Sequence, residues 1–293
     1  MANVSMDLIK ELREKTQVGL GDCKKALEET NGDIEKALEL LRKKGAAVAA
    51  KRAENVTNNG RIEAFVSPDY TSGALVEVSC ETDFSANTGS MQEFAQHAAE
   101  LLAKNALNDA AHLMTQKSLK NASLTLKDHL DELIAKIAEN IKISNIARFA
   151  TTGHGVINVY IHPGSTVGVM VELSAEKDVA AAREELKTLV KDICMQIAVT
   201  KPLCVRPEEL DNAVVEKERS LAREQLASSN KPAQIIEKII DGKISKFYEE
   251  VCLTKQLFIK NDKISIEQHV KDVGQKITNN LTIKRFVRFG IGR

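Results

Sequence analysis

The chain has 293 residues, 43% of them hydrophobic and 28% charged, with 41 Lys plus Arg balanced by 41 Asp plus Glu. That length supports two or three domains with a substantial core, and the zero formal net charge removes any bulk attraction for nucleic acid or an anionic membrane. No apolar run approaches the roughly 20 residues of a membrane helix, and with no Trp and few aromatics the chain lacks stacking platforms for single-stranded nucleic acid.

The first elements are helical. MDLIKELREKT places Met6, Leu8, Ile9 and Leu12 at helical spacing behind Ser5 as N-cap. TQVGLG interrupts it, and DCKKALEET opens a second helix with Asp22 as its expected N-cap. Asp33 caps a third, IEKALELLRKKGAAVAAK, with Ile34, Ala37, Leu38 and Leu41 on one face. These helices make a small bundle over residues 1–50. Residues 45–60, small and polar, read as a fraying helix end running into a linker at 51–59. Leu20, in the Gly-rich loop, either folds back on the bundle or offers a contact to a partner helix.

Residues 60–84 and 155–179 align without a gap at an offset of 95, with ten identities in 25 positions. This is an internal duplication. Each copy holds two alternating or apolar runs around a turn, RIEAFV with ALVEVS and VINVYI with VGVMVEL, and so predicts a β-hairpin followed by a helix. A second correspondence, at an offset of 140, pairs AKIAENIKISNIARF (135–149) with QKITNNLTIKRFVRF (275–289), each a helix end and a strand. The expected fold class is α+β: the helical bundle, then two tandem related subdomains (60–150 and 151–293), each a three-stranded antiparallel sheet covered by helices on one face.

The second copy carries an insertion. Residues 207–229 and 232–251 are charged and amphipathic, with SSNKP turning the chain between them. Leu210, Val214, Lys217 and Leu221 step at near-heptad spacing, as do Ile235, Ile239 and Phe247 with slips, which predicts a projecting antiparallel helical hairpin over about 207–251.

Chemistry-bearing motifs point away from an active site. The chain has no GxxxxGK[ST], HExxH or GxSxG pattern and no Cys/His ligand spacing, and its six histidines are dispersed. No cofactor or metal is expected. The five cysteines, Cys23, Cys80, Cys194, Cys204 and Cys252, form no CxxC pair and read as reduced thiols. Charges stand in MANVSMDLIKELREK where a signal peptide has its apolar stretch, and there is no Arg-rich leader, so a bacterial cytoplasm is expected. A binding protein is favoured over an unrecognised enzyme built on scattered carboxylates or a peptide-binding scaffold built on the helical bundle. Monomer and homodimer both stay open.

Several stretches together resemble the translation elongation factor Ts family: LREKTQVGLGDCKKAL (12–27), EVSCETDFSAN (77–87), YIHPGSTVGVMVEL (160–173), the hairpin with the segment after it, and RFVRFGIG near the C-terminus. They span essentially the whole chain in order. The resemblance implies a first module like a ubiquitin-associated domain and a coiled-coil hairpin. It also implies a nucleotide-exchange factor that binds the GDP form of the GTPase elongation factor Tu and releases the nucleotide by disturbing Mg2+ and phosphate binding, with no bond chemistry of its own. Neither nucleic acid nor membrane is an expected partner. Carried over by residue, Leu12, Arg13, Leu20, Asp22, Cys23 and Lys24 belong to the N-terminal contact. Thr82, Asp83, Phe84 and Ser85 form a wedge pushed between helices of the GTPase, and His162 with Gly168 forms a third contact. The chain departs from the family pattern at Gln17, Gly21, Ser85 and Thr166.

Phe84 poses the sharpest question. At an offset of 95, Asp83 and Phe84 correspond to Asp178 and Val179. The aspartate recurs and is expected to cap the following helix; the aromatic does not. By its residues alone Phe84 either packs beneath that helix or stands out for a partner, and the resemblance favours the wedge.

Overall fold

A computed structural model describes residues 4–16, 18–119, 121–226 and 232–292. The chain opens with helices α1 (Met6–Thr16), α2 (Leu20–Glu29) and α3 (Ile34–Arg52). The first copy follows as strands β1 (Asn59–Val66) and β2 (Ser72–Cys80), helices α4 (Asp83–Ala86), α5 (Gly89–Lys104), α6 (Ala110–Thr115) and α7 (Leu126–Ile137), and strand β3 (Lys142–Ala150). The second runs β4 (Gly155–Ile161), β5 (Val167–Ala175), α8 (Arg183–Thr200), α9 (Asn212–Leu226), α10 (Ala233–Val251), β6 (Leu257–Phe258), β7 (Asn261–Ser265), α11 (Ile266–Lys276) and β8 (Leu281–Gly290).

The first helices pack around Ile9, Leu12, Val18, Cys23, Ala26, Leu27, Ala37 and Leu41. Ser5 and Asp33 cap as expected, accepting from Leu8 N at 3.3 Å and Lys36 N at 3.0 Å. Asp22 does not cap. The helix begins at Leu20, with Gly19 as its cap residue, so Asp22 lies in the first turn, where its charge complements the helix dipole. The stretch from 45 is no frayed end either. It stays helical to Arg52 and lies on α7, so close that a Cβ added to Gly45 would stand 2.2 Å from the Asp131 carbonyl oxygen. Arg42 Nε meets Glu132 Oε1 at 2.6 Å across the same contact.

The duplication is visible as two three-stranded antiparallel sheets, β1-β2-β3 and β4-β5-β8, each with its central strand interrupted at an equivalent glutamate, Glu77 and Glu172. Helices α5 and α7 cover one face of the first sheet around Val76, Val78, Phe94, Ala98, Leu102 and Ile134. Helices α8 and α11 cover the second around Val169, Val171, Leu189, Ile193 and Val270. The two remaining faces bury Ile62, Leu75, Ile157 and Met170 against one another. Reciprocal hydrogen bonds join the copies at equivalent positions, Ile62 N to Ser165 O and Ile157 N to Tyr70 O, each at 2.8 Å. Ser165 and Tyr70 both adopt positive φ, at 54° and 59°. The copies are therefore related by an approximate twofold.

The insertion forms an antiparallel pair, α9 against α10, pinned by Arg219–Asp241 at 3.0 Å and Arg223–Glu237 at 3.4 Å. The turn expected at SSNKP lies largely outside the described residues. The seam is not the one the heptad spacing suggests. Ala222, Ile240 and Ile244 are buried, with Val215, Leu226, Ile236 and Tyr248 around them, while Val214, Leu221 and Ile235 are exposed. Two short helices in contact bury only a narrow stripe each. Which of two adjacent apolar rows fills it depends on how the pair is rolled at its base.

Candidate partner-binding surface

The segment after β2 turns sharply into the single turn α4. Thr82 is its cap: the extended backbone at this residue lets Oγ1 accept from Ser85 N at 3.2 Å. Asp83, expected as the cap, sits one residue later in the first turn with its side chain outside. Successive residues on a helix diverge by about 100°, so the turn divides its residues. Ser85 and Ala86 face inward at 3% and 5% exposure, and Phe84 faces solvent at 82%. Ser85 therefore anchors the turn and is not part of its outer surface.

The turn is held from every side. Glu139, just beyond α7, accepts from Glu81 N and Thr82 N at 3.2 Å each, from Thr82 Oγ1 at 2.7 Å and from Ser85 Oγ at 2.6 Å. Glu81 returns the interaction, accepting from Asn140 N at 2.6 Å and from Arg52 Nη1 at 3.1 Å. The Asn140 N–H, followed by Asn55 and Arg52, holds the Glu81 carboxyl below its ordinary range. Arg61 Nη1 donates to Ala86 O at 3.3 Å and closes the far end. Cys80 Sγ donates to Thr82 O at 3.1 Å, and burial pushes this thiol up to about 11.

A groove lined by Thr88, Gly89, Glu93, Lys136 and Glu139 runs beside the Phe84 ring. Lys136 also lines a shallow depression with Lys10, Arg13 and Glu14 of α1. Lys136 thus borders both the groove beside Phe84 and the depression at Arg13, residues far apart in sequence. Of the other N-terminal candidates, Leu20, Asp22 and Lys24 are exposed. Leu12 and Cys23 are fully buried, and Cys23 Sγ donates to Val18 O at 3.5 Å; these two shape the module from within. Gln17 lies outside the described residues, and Gly21 and Thr166 are exposed.

His162 occupies the tight turn between β4 and β5, exposed, with Nδ1 2.9 Å from the Tyr160 hydroxyl. Gly168, expected in the same contact, does not lie at the surface. It is buried where the two sheets meet, and a Cβ there would stand 2.5 Å from Ile62 Cγ2. Its equivalent, Gly73, is crowded too, though less tightly, with Ile157 Cγ2 at 2.9 Å. Close approach of the sheets requires glycine at both sites. Sequence reasoning missed Glu81, Lys136, Glu139 and Asn140. The repeat was the available signal for three of them, since Glu81 recurs as Glu176, Lys136 as Lys276 and Asn140 as Asn280, whereas Glu139 is matched by Asn279.

These features define a duplicated α+β scaffold with a helical N-terminal module, presenting a bare aromatic ring on a rigidly fastened turn. Among the described residues no helix is long and apolar enough to cross a membrane. The family model for elongation factor TS matches residues 81–293. The chain is 40% identical to elongation factor Ts of Clostridium perfringens (strain SM101 / Type A) over 289 residues, covering 99% of this chain and 93% of that protein. It is 38% identical over 289 residues to elongation factor Ts of Clostridium botulinum (strain ATCC 19397 / Type A), at 99% and 92% coverage. The chain belongs to the elongation factor Ts family and is a factor of translation elongation.

Proposed function

We propose that this protein is the guanine-nucleotide exchange factor for elongation factor Tu, acting in the bacterial cytoplasm. Phe84 enters a slot between helices of the GTPase near the nucleotide, disturbs Mg2+ and phosphate binding, and promotes release of GDP. The observation that carries this reading is the placement of an aromatic ring in solvent on a turn fastened through Thr82, Ser85 and Ala86. A ring of that size in water is costly to the isolated protein. It is well suited to burial in a partner, because the fastened turn beneath it has little backbone entropy left to lose on binding.

In this reading the exposed Arg13, Leu20, Asp22 and Lys24 of the first two helices meet the GTPase. His162 touches it from the β4–β5 turn, and the α9–α10 pair, as a coiled coil, reaches it at a further point. No covalent step is needed. Whatever free energy the complex takes from GDP binding, bound GDP takes equally from the complex. The factor thus stabilises a nucleotide-poor GTPase until fresh nucleotide displaces it. The test is release of a fluorescent GDP analogue from elongation factor Tu in the presence of the full chain. Release accelerated in proportion to added protein is expected. Release at the spontaneous rate, with binding demonstrated, would refute the proposal.

A further inference from the structure

We propose that Glu139 is the positioning residue of the wedge, and that its second carboxylate oxygen is what turns Phe84 outward. This rests on the exchange reading above. The internal repeat supplies the comparison. Ala138, with φ 60°, ends α7 and swings the chain so that Glu139 faces the end of β2. In the second copy Thr278, with φ 56°, does the same after α11, and Asn279 takes the place of Glu139.

The two copies share half of the arrangement. Asn279 Oδ1 accepts from Glu176 N and Lys177 N at 3.1 Å each. Glu139 Oε2 accepts from the equivalent Glu81 N and Thr82 N at 3.2 Å. The rest of the Asn279 amide stays on the same backbone, Nδ2 donating to Lys177 O at 3.1 Å, so in the second copy the whole side chain fastens main chain only. The wedge-bearing copy adds Oε1, which accepts from the hydroxyls of Thr82 and Ser85 at 2.7 and 2.6 Å. The second copy has Lys177 and Ala180 at those positions, without a hydroxyl at either. There the residue equivalent to Phe84, Val179, is 4% exposed and belongs to the core.

Pulling Ser85 inward forces its neighbour on the same turn outward. Because Thr82 Oγ1 both donates to Glu139 and accepts from Ser85 N, the cap and the anchor share one hydrogen-bonded chain. Hydrogen bonds to a charged acceptor are about twice as strong as neutral ones, which suits a device that must hold an apolar ring in water.

The test uses Glu139→Asn, the residue of the second copy, in the full chain, with Phe84→Ala and the double variant alongside. Each is read by the maximal rate of labelled-GDP release from elongation factor Tu and by the thermal midpoint. Glu139→Asn is expected to lower the maximal rate by less than the roughly hundredfold that bounds loss of the whole ring. It should have no further effect in the Phe84→Ala background. The chain has no Trp, so Phe84→Trp installs a sole reporter, and its fluorescence anisotropy in the free protein should fall when Glu139→Asn is added. Ser85→Ala, which leaves the backbone contacts intact, should lower anisotropy and rate in the same direction. If Phe84→Ala abolishes exchange while Glu139→Asn keeps both wild-type rate and anisotropy, the carboxylate does not position the ring. Equal losses from Glu139→Asn in both backgrounds would likewise overturn it. If Phe84→Ala itself exchanges normally, the wedge reading fails, and the positioning role of Glu139 with it.

Discussion

Replacing Phe84 by alanine separates a wedge from a core residue. The ring is 82% exposed and the inward residues of its turn are Ser85 and Ala86, so the isolated protein loses almost no packing. Its stability should change by less than about 0.5 kcal/mol, as for other surface substitutions. Burial of the same ring in a partner contributes about 2–3 kcal/mol. At ~1.4 kcal/mol for each factor of ten, the variant should lose at most about a hundredfold in accelerated GDP release. A larger loss would mean that the ring also displaces Mg2+ or phosphate contacts, beyond its own burial. The assay is stopped-flow release of fluorescent GDP from elongation factor Tu over a range of factor concentrations, with thermal unfolding measured in parallel. Undiminished release with an unchanged midpoint would refute the wedge. A large drop in midpoint would contradict the exposed placement of the ring.

Other consequences follow from burial. Gly168→Val should destabilise the protein by about 1–3 kcal/mol through overpacking, since a Cβ already meets Ile62 at 2.5 Å; an unchanged urea midpoint with lost partner binding would restore Gly168 as a contact residue. His269 stacks on Phe258 at 4.3 Å, and burial holds its pKa below the ordinary range. Folding therefore favours the neutral ring, and its contribution to stability is present above about pH 6.5 and lost as pH falls through the lowered folded value. His269→Leu should flatten stability against pH below 6.5, measured by urea titrations; an unchanged slope would remove His269 as the cause. All five cysteines are buried and unpaired, and desolvation raises Cys80 to about 11 and Cys252 to about 12. A disulfide-exchange reagent at pH 8 should leave these thiols almost untouched in the native protein and react with all five in guanidinium, whereas rapid native reaction would contradict their burial.

Much of the architecture could be read from the residues. Helix starts at Ser5 and Asp33 are written in local chemistry, because a cap needs only its own next few backbone amides. Asp22 and Asp83 misled for the same reason. Each follows the residue whose backbone had already begun the helix, Gly19 three places before Asp22 and Thr82 next to Asp83, and only the fold shows which residue that is. The duplicated hairpins were legible from alternation and from the recurrence itself. The packing of the two sheets on each other was less so. In ALVEVS one face is apolar throughout and the other begins with Leu75 and continues with Glu77 and Ser79, which does not say what lies on it.

The sequence by itself determined the local elements, the tandem duplication, the insertion and the family resemblance, since periodicity and recurrence are properties of the chain taken in order. Only the tertiary structure decided which side of each apolar residue meets water. It turned Phe84 out and Val179 in, buried Leu12 and Cys23, moved the hairpin seam by one residue, and set Gly168 between the sheets. It also brought Glu139 across to residues more than fifty positions earlier. Burial depends on neighbours that fold back from elsewhere in the chain, and no local pattern encodes where those neighbours stand.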